Sequence, residues 1–125
     1  MKEYKKGETV RIPVEVHAPA GLMMVEITAR REHEPGDSPD IDFEGNDDIL
    51  LIAHAGENPT TETRLVLEGE VTHQVPGTYS CRRVLAHDIY QETEDMPLDP
   101  PVQFVIVADE TYPGKPEIGS VGEPE

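Results

Sequence analysis

Apolar and polar residues alternate with a period of two along most of the chain, and no stretch carries the 3.6-residue period of an amphipathic helix. Val10, Ile12, Val14 and Val16 alternate with Arg11, Pro13, Glu15 and His17, which predicts a half-buried strand over residues 8–17. Pro13 falls in the outward set and has no N–H to donate, so its position belongs at a sheet edge or a bulge. A second strand, to about His33, sets Met23, Val25, Ile27 and Ala29 on one face and Met24, Glu26, Thr28 and Arg30 on the other. The run Ile49-Leu50-Leu51-Ile52-Ala53 reads as a short strand buried on both faces. Leu65, Leu67 and Val71 define a strand over about 62–72, with Gly69 as a candidate bulge.

Residues 78–90 form a long strand with an irregularity. Counting by twos from Tyr79 gives Cys81, Arg83 and Leu85, which buries an arginine. A bulge at Arg82-Arg83 gives Tyr79, Cys81, Val84 and Ala86, a consistent apolar face, and is the preferred reading. The Pro- and Glu-rich stretch 92–101 reads as a loop, and Val102 to Asp109 as the last strand, with Val105 and Val107 opposite Phe104 and Ile106. These strands, with turn signals between them and no helical segment, predict an antiparallel sandwich. Residues 1–6 read as a tail, 7–109 as the folded domain, and 110–125, rich in Pro, Gly and Glu, as a flexible C-terminal tail.

The chain has 125 residues, long enough for one hydrophobic core, and a formal net charge of −16. That field opposes nucleic acid and anionic membrane surfaces as partners. No apolar run is long enough to insert into a membrane and the first residues do not resemble a signal peptide. Cys81 is the single cysteine, so a disulfide scaffold and a zinc finger are excluded.

The stretch Val75-Pro76-Gly77-Thr78-Tyr79-Ser80-Cys81, a strand ending in His87-Asp88, and the terminal Phe104-Val105-Ile106-Val107 resemble the last two strands of bacterial immunoglobulin-like and fibronectin-III-like domains. Gly7 to Val16 and Gly21 to Ile27 resemble the second and third strands of the same family. The resemblance covers about residues 7–109 and implies an antiparallel immunoglobulin-like β-sandwich of six to seven strands. It further implies a tyrosine corner, with the Tyr79 ring buried and its hydroxyl bonded to an upstream backbone group. The chain departs from immunoglobulin domains in having no tryptophan, no second cysteine and no clear first strand. Cys81 is then a buried thiol where half a disulfide would stand. The missing first strand leaves one sheet edge open, to be covered by residues 1–6, by the C-terminal segment or by a second copy in a weak homodimer.

Three constellations carry candidate chemistry. Residues 32–48 hold eight carboxylates and no Lys or Arg. Within them Asp40, Asp42, Glu44, Asp47 and Asp48 are candidate ligands for a weak Ca²⁺ site, because hard cations prefer oxygen donors. The spacing opens like an EF-hand loop, but Leu51 stands where the bidentate glutamate belongs. A solvated acidic loop is the plainer reading. Second, Arg30, Arg31, Arg82 and Arg83 lie on strands that neighbour each other in the family topology. They suit recognition of a carboxylate or sulfate on a partner, or, more simply, cross-strand pairing with Glu26, Glu32 or Glu15. Third, Asn58-Pro59-Thr60-Thr61 is similar to the first binding loop of chagasin-type cysteine-protease inhibitors. Glu62 replaces that family's glycine and its other binding loops have no counterpart, so no residue role carries over.

Catalysis finds little support: the five histidines are scattered and no serine sits in a nucleophile elbow, and Cys81, whose thiolate the neighbouring Arg82 and Arg83 would favour, reads more simply as an inward-facing core thiol. The expected function is a non-catalytic binding or spacer module that mediates protein interaction, as part of a bacterial surface or secreted protein. Alternatives are a free-standing protease-inhibitor-like or enzyme-accessory protein acting through loops 34–48, 56–61 and 91–101, and a weak Ca²⁺-binding sandwich domain. Fold analogy favours an extracellular or cell-surface location, and the lack of a signal peptide leaves a cytoplasmic one open.

Overall fold

A computed structural model describes residues 1–33, 47–55, 62–108 and 116–124, without the side chains of 62 and 63. Seven strands form: β1 (Glu3–Tyr4), β2 (Thr9–His17), β3 (Leu22–Arg31), β4 (Asp48–His54), β5 (Glu62–Glu70), β6 (Gly77–Asp88) and β7 (Thr93–Ile106). The fold is all-β. The expected two-sheet antiparallel sandwich differs from what is observed: the strands make one mixed sheet, in the order β1-β7-β6-β3-β4-β5-β2, nearly closed into a barrel. The cause is β4, which pairs with β3 on one side and meets β5 on the other, so the two halves are continuous. One pair, β1 with β7, is parallel.

The period-two pattern drives the closure, because each strand has one apolar face to hide. Val10, Val25, Ile27, Ala29, Ile49, Leu51, Leu67, Phe104 and Ile106 point inward and are buried. Leu50, expected to be buried, is 49% exposed, since β4 has solvent rather than a second layer on its outer side. Met23, expected inward, is 40% exposed and Leu22 is buried in its place. Here β3 spends an extra residue between Leu22 and Met24 against the consecutive residues Asp88 and His87 of β6, and the alternation resets.

The irregularity in β6 falls where the sequence places it. From Glu26 to Ala29, β3 takes three steps while β6 takes four, from Leu85 to Cys81. Arg82 and Arg83 therefore both turn outward, and Val84 joins Tyr79 and Cys81 in the core. The Tyr79 hydroxyl donates to the Val75 carbonyl at 2.6 Å, the corner that the resemblance implies. Its ring stacks on Phe104 at 5.7 Å, and Tyr4 meets Phe104 edge-on, also at 5.7 Å. Cys81 is a free, buried thiol whose pKa burial pushes up to about 11, so it is not an activated nucleophile.

Two segments read as irregular are strand. Residues 1–6, expected as a tail, contain β1: Val105 N–H donates to the Lys2 carbonyl and Val107 N–H to the Tyr4 carbonyl, both at 2.9 Å. Tyr4 supplies the anchor, since burying its ring outweighs the exposure of three lysines around it. The expected loop 92–101 belongs largely to β7, with Thr93–Pro97 paired to His87–Arg83 of β6. Asp88 makes this possible by closing a tight turn: its Oδ1 accepts from the N–H groups of Tyr90 and Glu92. Pro97, Pro100 and Pro101 are tolerated because, among the described residues, that part of β7 has no strand on its outer side. Pro13 likewise lies on an edge, as β2 pairs with β5 alone.

Gly69 is not a bulge in the β2–β5 ladder, where it stands in register with Val10. It is needed for close approach instead: a Cβ there would lie 2.5 Å from the Leu50 carbonyl oxygen and 2.6 Å from Leu51 Cδ2. Replacing Gly69 with Ala forces β4 away from β5 and is expected to cost about 2 kcal/mol in urea denaturation. A variant as stable as the parent contradicts this contact.

Candidate groove on the outer face of β3 and β6

The outward set of β3 includes Glu26, Thr28 and Arg30. On β6 the bulge adds Arg82 and Arg83 to the outward positions Ser80 and Leu85. Two strands that drift apart by one residue leave a depression between them. It is a groove of about 410 Å³ lined by these residues together with Arg31 and Glu32. Four arginines against two glutamates give its lining a net charge of +2 on a chain of −16.

The four candidate arginines do not form one guanidinium cluster. Arg31 belongs to the inward-pointing set, opposite Tyr79, and its N–H donates to the Asp47 carbonyl at 2.8 Å. Arg82 Nη2 donates to Glu32 Oε1, one of the pairings expected from the sequence. Arg83 Nε donates to Asp95 Oδ1 at 2.7 Å, a partner hidden by reading 92–101 as a loop. Glu15 pairs with Arg64 on the neighbouring β5, and Glu26 Oε1 lies 3.6 Å from His87 Nε2. Among the described residues Arg30 makes no ion pair or hydrogen bond, although Asp48 stands opposite it on β4 and Ser80 on β6.

The polar centre of the groove is Ser80, which the sequence reading left without a role. It is 2% exposed despite facing outward from the core, because Glu32 and Gln103 close over it. Ser80 Oγ donates to Glu32 Oε1 at 2.5 Å and accepts from Gln103 Nε2 at 2.9 Å. The Glu32 N–H, donating to the Thr78 carbonyl at 2.7 Å, fixes the backbone from which the carboxylate reaches in. A serine between two buried residues of one strand was the available signal. Its partners were not, since Glu32 and Gln103 are 48 and 23 residues away in sequence.

The groove presents hydroxyl and guanidinium donors, and the carboxylate that Ser80 and Arg82 hold is the chain's own Glu32. The Ser80 hydroxyl, followed by Arg82, holds the Glu32 carboxyl below its ordinary value of 4.5, with partial desolvation acting against them. Of the candidate Ca²⁺ ligands, Asp40, Asp42 and Glu44 lie outside the described residues, as does Asn58 to Thr61. Asp47 immediately precedes β4 and Asp48 is its first residue. Among the described residues no group of three or more His, Cys, Asp or Glu is placed to hold a metal ion.

Because Glu32 ionises more readily in the folded than in the unfolded chain, its contribution to stability is present above the ordinary value and lost as the pH falls through the depressed one. The stability difference between the parent and Glu32→Gln in urea should hold level from pH 7 to about 5 and shrink below about 4.5. A difference that persists unchanged into acid contradicts the assignment.

Comparison with protein-family models, with curated proteins and with solved structures finds no match to this chain.

Proposed function

We propose that the chain is a non-catalytic, immunoglobulin-like binding module that engages a protein partner through the outer face of β3 and β6, taking a partner carboxylate beside Arg30. Strand neighbours support the immunoglobulin-like reading: β2 beside β5, and β3 beside β6 beside β7, match the B–E and C–F–G pairings of that architecture. The Tyr79 corner stands at the start of β6, where the architecture has it. The observation that carries the binding role is Arg30, an arginine without an ion pair among the described residues, in a groove already furnished with hydroxyl and guanidinium donors.

The overall charge narrows the partner. A polyanion is repelled by the −16 chain before it reaches the groove, whereas one carboxylate amid basic residues is attracted at long range and held at short range. A surface or secreted location follows only by analogy with the architecture. Recognition by the turn at the β6–β7 end is the second reading. There Tyr90 is 73% exposed and Ile89 also exposed, on a backbone fixed by Asp88, and a rigid aromatic tip suits an apolar cleft. A homodimer through the β2 edge is disfavoured by Pro13 and by charged Arg11 and Glu15 along that edge.

The probe is the peptide acetyl-Lys-Val-Glu-Val-Lys-amide, titrated into ¹⁵N-labelled protein. Resonances of Thr28, Arg30, Ser80 and Arg82 should shift saturably, and Arg30→Glu should abolish the response. Equal binding of the peptide with Gln in place of Glu overturns the proposal, as does silence of the groove at millimolar peptide.

A further inference from the structure

We infer that Glu32 is a built-in competitor for the carboxylate site, so that a partner binds by displacing it. The inference rests on the proposed binding role of the groove and concerns how that site is regulated.

Three observations carry it. Glu32 already occupies the centre of the groove as a carboxylate would, with its Oε1 accepting from both Ser80 Oγ and Arg82 Nη2. It does so from the residue just past the end of β3, where its backbone N–H stays bonded to the Thr78 carbonyl while its side chain keeps 37% of its surface exposed, so the side chain has room to leave. The donors it uses persist without it. Ser80 is held in place by β6 and by Gln103, and Arg30 stands opposite Ser80 with no carboxylate bonded to it.

The Ser80 hydroxyl has a carboxylate acceptor both at rest and with the partner bound, so binding leaves no buried donor unpaired. The incoming group gains Arg30 as an additional donor, and the outgoing Glu32 returns to water. Small anions that offer only a carboxylate compete poorly against a tethered one, because the internal group has a high effective concentration. A partner with flanking contacts to Thr28, Leu85 and the surrounding acidic surface overcomes that handicap. Glu32 thus works as a filter: apparent affinity falls by the fraction of time the site is open.

The same peptide titration on variants of the full chain tests this. Glu32→Gln keeps an amide oxygen for Ser80 and removes the competing charge. If the site is open about one-tenth of the time in the parent, the variant binds about tenfold more tightly. Glu32→Asp, too short to reach Ser80, should show the same gain and guards against a fold defect specific to glutamine. Ser80→Ala should weaken binding in both backgrounds. Unchanged or weaker binding by Glu32→Gln and Glu32→Asp, while Arg30→Glu still abolishes the response, overturns the competitor role and leaves the binding role standing. No binding by the parent at millimolar peptide overturns both, because the competitor role rests on the binding role.

Discussion

An extra residue on β6, set against three steps of β3, determines both what fills the core and what lines the outer groove. Regular alternation from Tyr79 would drive the Arg83 guanidinium into a core made of Val25, Ile27, Ala29 and Phe104, at a desolvation cost no nearby carboxylate offsets. The bulge avoids this by turning two consecutive arginines outward and returning Val84 to the apolar face. The same displacement opens the groove, because strands that gain a residue on one side twist and separate locally. Core packing and site geometry are therefore two results of one register change.

Electrostatics then act on that geometry at two ranges. At long range the chain is strongly acidic, a field that repels anions and attracts cations. At short range the groove holds guanidinium and hydroxyl donors, with Glu32 bonded to two of them and Asp95 to a third. Such pairs at an exposed surface contribute little to stability. Their value lies in orientation: Glu32 and Gln103 fix the Ser80 hydroxyl within the groove, and Arg30 stands opposite it on β3.

Much of this was legible in the sequence, and the misses have particular causes. Strands β2 to β6, the inward positions of β2 and β6, the bulge and the edge position of Pro13 follow from period-two patterning and the chemistry of single residues, and the Tyr79 corner from the resemblance. Met23 and Leu50 were misplaced because a second bulge and the absence of an outer layer at β4 leave no mark in composition. Pro-rich 92–101 looked like a loop, since its strand character depends on Asp88 closing a turn and on an edge that needs no donors. Tyr4 was overlooked among lysines. At the groove, the arginines stood out by type, but Glu32, Ser80 and Gln103 meet only once β3, β6 and β7 are adjacent, a fact about topology and not about spacing.

The register of β6 is tested most directly by comparing Arg83→Ser with Val84→Ser in guanidinium denaturation. Removing an exposed arginine paired with Asp95 should leave the denaturation midpoint nearly unchanged. Placing a hydroxyl at the buried Val84 position should cost about 2–4 kcal/mol, from lost apolar contact and an unsatisfied polar group. The reverse order, with Arg83→Ser the more damaging or stabilising by relief of burial and Val84→Ser neutral, would show that β6 alternates regularly and that the groove is not formed by a bulge.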